Sequence, residues 1–456
     1  VRRPPCDTAR WSRRDFLGGS LRGTGALALA LGGPGLARPA RAASGGADGF
    51  GPLGPPDANG LRLPPGFASR VVATSGQVVA GTGHLWHLAP DGGATFAAGD
   101  GGWVYVSNAE RGGVAGGVGA IRFAADGSIV GAYSILSGTS RNCAGGPTPW
   151  GTWLSCEEVD GGRVFECDPL APGSQGGVCA SLGTFNHEAA AVDPVHERIY
   201  LTEDQPNGRF YRATPSLYPA LGAGVLEAAQ ILDPLGQGPI QPGQVRPLAW
   251  HAVPEPNPAG GGVQNQSHLP LVQRATRYQV PDASVFDGGE GCWYEGGLVH
   301  FATKGDNRVW TLDTADDTIG ILYDLATTGD PELVNVDNVL ASRVGDVYVA
   351  EDPGQLRIVA LTAGGDVKPV VQLTGVTGTE LAGPALSPDG LRLYFSSQSN
   401  PGATYEVTGP FAPVMPVPIF GGAGRVLFAA ALGLAAALAL RRRRSDAATG
   451  GDERAG

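Results

Sequence analysis

The sequence predicts an all-β fold, a β-propeller, because a strand-and-acid block recurs along it, the aromatic anchors of the block are evenly spaced, and helix-forming stretches are scarce between the termini. Each block is a turn, an alternating apolar strand, and then acids or amides. The blocks are Asp100–Glu110, Thr148–Glu158, Asp193–Asp204, Glu295–Asp306, Val344–Asp352 and Ser387–Gln398. Their anchors, Tyr105, Trp153, Tyr200, Phe301, Tyr348 and Tyr394, stand 48, 47, 101, 47 and 46 residues apart. Such a period in β-rich sequence is that of four-stranded propeller blades. A pair of β-sandwiches gives no reason for the even spacing. One gap is about twice the others, so we expect six blades with an insertion over 215–282, where Pro, Gly and Gln are frequent; a seventh blade near Trp250 is the alternative. Pro219–Leu232, with Pro in its first turn, is the one helix candidate outside the termini.

Composition agrees. Gly 73 and Pro 37 of 456 residues, without low-complexity tracts, suit short strands and tight turns. The formal charge of -11 argues against nucleic acid as a partner and suits a protein that collects cations.

In chain order, residues 1–42 read as an export signal. Ser12-Arg13-Arg14-Asp15-Phe16-Leu17 resembles the twin-arginine pattern, a weakly apolar run follows, and Ala40-Arg41-Ala42 is a small-x-small cleavage site. Residues 43–66 are a Gly/Pro-rich lead-in, 67–410 the propeller, 411–425 a Pro/Gly-rich spacer and 445–456 a disordered tail. In 426–444 an apolar run precedes Arg441–Arg444. That segment reads either as a single-pass anchor, its arginines cytoplasmic, or as a cleaved sorting signal. The expected setting is periplasmic or cell-surface, with the membrane met only through this segment, and the chain a monomer. Five cysteines lie beyond the signal: Cys143, Cys156, Cys167, Cys179 and Cys292. Cys167 could pair with Cys179 and Cys156 with Cys292, leaving Cys143 free, but spacing alone does not fix connectivity.

The densest stretch is Gly138–Glu158, GTSRNCAGGPTPWGTWLSCEE. Its Gly and Pro predict an ordered loop that delivers Cys143, followed by a strand ending in Glu157 and Glu158. The pairs Glu157/Glu158, Glu203/Asp204 and Glu351/Asp352 occupy equivalent block positions, and Glu188, Glu290 and Asp337 precede the same strands. A propeller brings equivalent positions around one axis. Any single pair reads best as a solvated strand end. The whole set cannot stay ionised together without cations. Oxygen donors favour Ca²⁺, and a thiolate such as Cys143 favours a transition metal such as iron. His187 reads as a core or hydrogen-bonded residue rather than a ligand.

The same blocks resemble the PhoX family of bacterial alkaline phosphatases. The resemblance rests on GTSRNCAGGPTPWGTWLSCEE, FNHEAAAVDP with IYLTED and GRFYR, GEGCWY with FATKGDNRVW, GDVYVAED and GPALSPDG, in the family's order. It implies a six-bladed propeller with Fe³⁺ and Ca²⁺ on its axis, hydrolysing phosphomonoesters outside the cell. It casts Cys143 and Glu290 as catalytic, and Cys143, Glu157, Glu158, Glu188, Glu203, Asp204, Glu290, Asp337, Glu351 and Asp352 as metal ligands. Larger members carry an Arg two residues before the glutamate matching Glu290, where this chain has Gly288. Arg141, Lys304, Arg209 or Arg308 would have to supply positive charge, with Arg141 and Lys304 the phosphate-binding candidates. The alternatives are a non-catalytic calcium-stabilised propeller that binds a partner, and a metal-dependent hydrolase of other esters.

Overall fold

The computed structural model describes residues 46–264, 267–328 and 332–411. The export signal, most of the spacer, the apolar run with its arginines and the tail lie outside the described residues. Among the described residues no helix is long and apolar enough to cross a membrane, and the only helical pieces are single 3₁₀ turns.

Six antiparallel blades follow one another. The first is Pro90–Ala97, Trp103–Ala109, Gly116–Phe123 and Ile129–Thr139; the second runs from Asn142–Pro147 to Gly177–Val178; the third from His187–Asp193 to Ala220–Ile231. The fourth spans Gly289–Glu295 to Thr318–Asp324 and the fifth Val336–Ala341 to Val367–Leu373. The sixth takes three strands from Leu381–Thr408 and borrows Ala68–Thr74 as its outer strand, which ties the start of the domain to its end. The first strands of successive blades touch in a closed ring, so they line the axis. All six aromatic anchors sit buried on second strands, where they pack between blades. Tyr105 stacks on Tyr394 at 5.1 Å, and Phe210 on Phe301 at 4.1 Å.

The double gap is an insertion, as expected, but it is not short of strands. Val245–Ala252 pairs with the outer strands of both the third and fourth blades and joins them into one nine-stranded sheet. The helix expected over Pro219–Leu232 is instead the strand Ala220–Ile231. Gly222 and Gly224 weaken a helix there, and hydrogen-bonded neighbours on both edges favour the ladder. The segment before the propeller also contributes: Leu61–Arg62 adds a fifth strand to the fifth blade.

The loop expected around Cys143 is a second correction. Asn142–Pro147 is the innermost strand of its blade. Its glycines are required by crowding at the axis: a Cβ on Gly145 would lie 1.8 Å from the Leu154 carbonyl oxygen, and one on Gly146 1.7 Å from that of Ala190. The suggested disulfides do not form either, since all five described cysteines are free thiols. Cys156 and Cys179 pack in one apolar cluster, Cys167 in a second and Cys292 in a third.

Candidate metal centre

Each axial strand carries a β-bulge, two residues standing opposite one on the second strand, at the same rung in five blades and one residue pair further along in the sixth. A bulge re-aims its side chains. The first bulge residues, blade by blade, are Asp91, Cys143, Glu188, Glu290, Asp337 and Gly383. Five blades thus deliver four carboxyls and a thiol to one level of the axis. In the sixth, a Cβ on Gly383 would lie 2.6 Å from the Asp91 carbonyl oxygen, and Glu380, at the start of that strand, contributes instead. The second bulge residues, Gly92, Ala144, Ala189, Gly291, Asn338 and Pro384, surround a void of only about 20 Å³. The bulges pack closely there, a Cβ on Gly92 lying 2.5 Å from Ala144 Cα and one on Gly291 2.6 Å from Asn338 Cα.

A second ring lies at the ends of the second strands: Glu110, Glu158, Asp204, Lys304, Asp352 and Gln398 each follow the last strand residue of their blade. The two rings interlock. Ligand atoms of Cys143, Glu158 and Glu188 lie within 4.8 Å of one another, as do those of Glu188, Glu290 and Asp337, of Asp91, Glu110 and Glu380, and of Asp337, Asp352 and Glu380. The Lys304 ammonium bridges Asp204 and Glu290, at 2.7 Å from each. Gln398 donates to Asp91 at 2.5 Å and to Glu110 at 3.1 Å.

The pairs do not converge as pairs. Successive strand residues face opposite ways, so Glu158, Asp204 and Asp352 turn inward while Glu157, Glu203 and Glu351 turn away and brace the following loop. Glu157 accepts from the backbone N–H of Arg163, Glu203 from that of Arg209 and Glu351 from that of Arg357. Each bond spans six residues. Glu203 is further held by Arg277 at 2.9 Å. The structure therefore assigns these three to loop bracing rather than to the clusters. His187 is a core residue, its Nε2 3.1 Å from the Gly183 carbonyl. Arg209 bonds to neighbouring carbonyls, and Arg308 pairs with Asp306 and Asp324. Of the expected cations, Arg141 and Lys304 border the centre. The sequence reading missed Asp91, Glu110, Glu380 and Gln398. Glu110 and Gln398 close their own repeat blocks and could have been found by aligning block ends.

Electrostatics supports a cation-binding role. Burial, then Glu290, Glu158, Asp337 and Asp91, push the Glu188 carboxyl well above the usual range, and its buried Oε1 has no hydrogen-bond partner. Burial, then Asp204 and Glu110, raise Glu158 to about 8. Burial and Asp352 raise Asp337 to about 7; burial with Asp91, Asp337 and Asp352 raises Glu380 to about 12. The Cys143 thiol is pushed up by burial and then by Asp91, Glu188, Glu158 and Glu110. Burial opposes the Lys304 ammonium, but Glu290 and Asp204 outweigh it and raise its pKa. The donors thus fit metal ions, which would offset the repulsion that keeps these acids protonated.

Cys143 is held from the neighbouring blade. The Asn108 Nδ2 donates to the carbonyls of Cys143 at 3.0 Å and Ala144 at 2.7 Å, while its Oδ1 accepts from Trp153 Nε1 and Ser155 Oγ, both at 2.9 Å. Asn108→Ala orphans two bulge carbonyls, at about 1–3 kcal/mol for each buried group. We expect a lower Tm together with faster alkylation of Cys143 in the metal-free protein, read by mass spectrometry of the labelled thiol. An unchanged alkylation rate would contradict the positioning role.

Beside the rings opens a cleft of about 680 Å³, bordered by Arg141, Glu158, Asp204, Gly288 and Lys304 among others. Gly288 is not a vacancy. Its φ is +65°, and a Cβ there would lie 2.7 Å from Lys304 Cγ, so the lysine stem takes the space a side chain at 288 would need.

Fold and site together define a class: a six-bladed propeller whose axial strands present carboxyls and one thiol able to hold cations. The chain belongs to the PhoX family, whose model, described as alkaline phosphatase PhoX, matches residues 89–320. Among solved structures, Pseudomonas fluorescens PhoX in complex with vanadate, a transition state analogue, superposes with a TM-score of 0.63 at 15% identity, covering 80% of this chain and 98% of that one. A gluconolactonase from Xanthomonas campestris aligns at a TM-score of 0.44 and 12% identity, covering 79% of this chain and 98% of its own. No curated protein matches the sequence.

Proposed function

We propose that this chain is an exported, metal-dependent phosphomonoesterase. The observation that carries the reading is the interlocked double ring of acids around Cys143, open on one side to a cleft that also presents Lys304. Cys143, Glu158 and Glu188, the group with the thiol, would hold iron, and the all-oxygen groups Glu188/Glu290/Asp337, Asp91/Glu110/Glu380 and Asp337/Asp352/Glu380 would hold calcium. Bound metal ions supply Lewis-acid polarisation of the phosphoryl oxygens and an activated water.

The chain's own residues do the rest. Lys304, its side chain 44% exposed, offers an ammonium at the mouth, where negative charge gathers in phosphoryl transfer. Glu290 and Asp204 both hold that ammonium, at 2.7 Å each, which fixes its position. Lys304 stands in for the guanidinium absent at position 288, as a point charge rather than a bidentate clamp.

The test is hydrolysis of p-nitrophenyl phosphate by the purified mature protein at alkaline pH. Turnover should disappear on chelation and return with iron and calcium together. Cys143→Ala and Glu290→Gln should each abolish it while the β-sheet circular dichroism stays native; near-normal hydrolysis by both variants would sink the reading. Lys304→Ala should lower kcat/KM by about 10²-fold, the usual effect of losing one transition-state donor. Gly288→Arg should also lower it, because the new side chain displaces Lys304 from a left-handed backbone position. A rise in activity for Gly288→Arg would show that Lys304 is no substitute. Calcium-dependent stability without turnover at any metal content would favour a binding propeller.

A further inference from the structure

The cleft beside the rings is larger than a phosphoryl group needs, and its lining is chemically distinctive. Beyond Lys304, the ring acids and Arg141, whose guanidinium pairs with Glu110 at 3.7 Å, it is lined by Asp160, Asp287, Asn186 and Gln205, with Val159 and Pro206 the only apolar side chains. Asp160 and Asp287 make no ion pair among the described residues, unlike Asp204, which Lys304 holds. Their carboxylates therefore remain available to accept hydrogen bonds.

The Asp287 side chain and the backbone beside Asp160 are each packed against a glycine. A Cβ on Gly305 would lie 2.2 Å from Asp287 Cγ, so the carboxylate rests directly on that glycine, and the Gly305 N–H donates to the Asp287 carbonyl at 3.0 Å. Asp160 precedes Gly161, whose backbone meets that of Gly261 from the long insertion; a Cβ on Gly161 would lie 2.9 Å from Gly261 Cα. The insertion that joins the third and fourth blades thus also buttresses the cleft.

We infer that this cleft is the leaving-group subsite, and that it selects phosphomonoesters whose alcohol carries a hydrogen-bond donor, hydroxyl or ammonium, close to the phosphate. The inference rests on the phosphoesterase reading. An ester with its phosphate at Lys304 has its alcohol in the cleft that Asp160 and Asp287 also line. An apolar alcohol there strips water from two carboxylates and returns no bond, whereas a donor-bearing alcohol replaces the lost water. Sites built from polar groups discriminate strongly against analogues that lack the matching group. The same carboxylates repel alcohols that carry further negative charge.

The experiment compares n-propyl phosphate, 2-hydroxyethyl phosphate and 2-aminoethyl phosphate, three esters of one size, with p-nitrophenyl phosphate as the activity control. We expect kcat/KM for both donor-bearing esters to exceed that for the propyl ester by at least about tenfold. In Asp160→Asn/Asp287→Asn that advantage should shrink, and by more for the aminoethyl ester if an ammonium is the natural donor, by similar factors if a hydroxyl is. Equal kcat/KM for the three esters in a protein that turns over p-nitrophenyl phosphate overturns the subsite while leaving the phosphatase reading intact. No turnover of any ester overturns that reading, and the subsite with it.

Discussion

Glu188→Gln is expected to lower phosphomonoester turnover at least about 10³-fold, some 4 kcal/mol at 1.36 kcal/mol per tenfold, and at the same time to raise the Tm of the metal-free protein. The two effects share one cause. Glu188 belongs to two of the ligand groups, so its loss damages both. Without metal it is a buried carboxyl, about 1% exposed, surrounded by other acids. An isosteric amide removes that repulsion, and a gain of several degrees at pH 8 follows. Residues that trade stability for function in this way mark sites strained for a task. Differential scanning fluorimetry of chelated wild type and variant, beside the activity assay, gives both readings. An equal or lower Tm for the chelated variant would mean that Glu188 is not under like-charge strain.

The second large effect is on stability against pH once metal is removed. Carboxyls whose pKa is higher in the folded than in the unfolded protein stabilise the fold while both states are protonated. That stability is lost as pH rises through the folded pKa. Here Asp337 lies near 7 and Glu158 near 8, against ordinary values near 4. The chelated protein should therefore lose Tm steadily from pH 5 to pH 9, by on the order of 10 °C for a few kcal/mol. Metal reverses the sign of the argument, because ligands bind it deprotonated. Returning iron and calcium should flatten the profile or invert it. A chelated protein with a flat Tm across this range would contradict the packing of protonated acids at the axis.

Much of this was legible in the chain because a propeller repeats itself. The aromatic anchors set the blade period, and the single double gap located the insertion. The strand Ala220–Ile231 was misread because its partners lie far along the chain: pairing with both neighbours outweighs local propensity. The glycines of Asn142–Pro147 spoke against a ladder for a similar reason. Local rules penalise them, yet only glycine lets the axial backbones approach so closely. The acid pairs were visible, but which member faces the axis is a matter of strand parity. Applying the two-residue alternation would have separated Glu158, Asp204 and Asp352 from their outward neighbours. Asp91 and Glu380 carried weaker signals, since Asp91 precedes the first complete block and Glu380 reaches the axis from outside the bulge.

The central claim is that bulges at one rung of five axial strands, with Glu380 from the sixth blade, build a metal centre. Elemental analysis of the purified mature protein tests it most directly, with Glu188→Gln and Glu157→Gln measured beside the wild type. The account predicts iron and calcium retained by the wild type and by Glu157→Gln, whose carboxylate faces a loop, and iron lost from Glu188→Gln. A wild type that holds neither metal after exposure to both, or equal metal loss in the two variants, would contradict it.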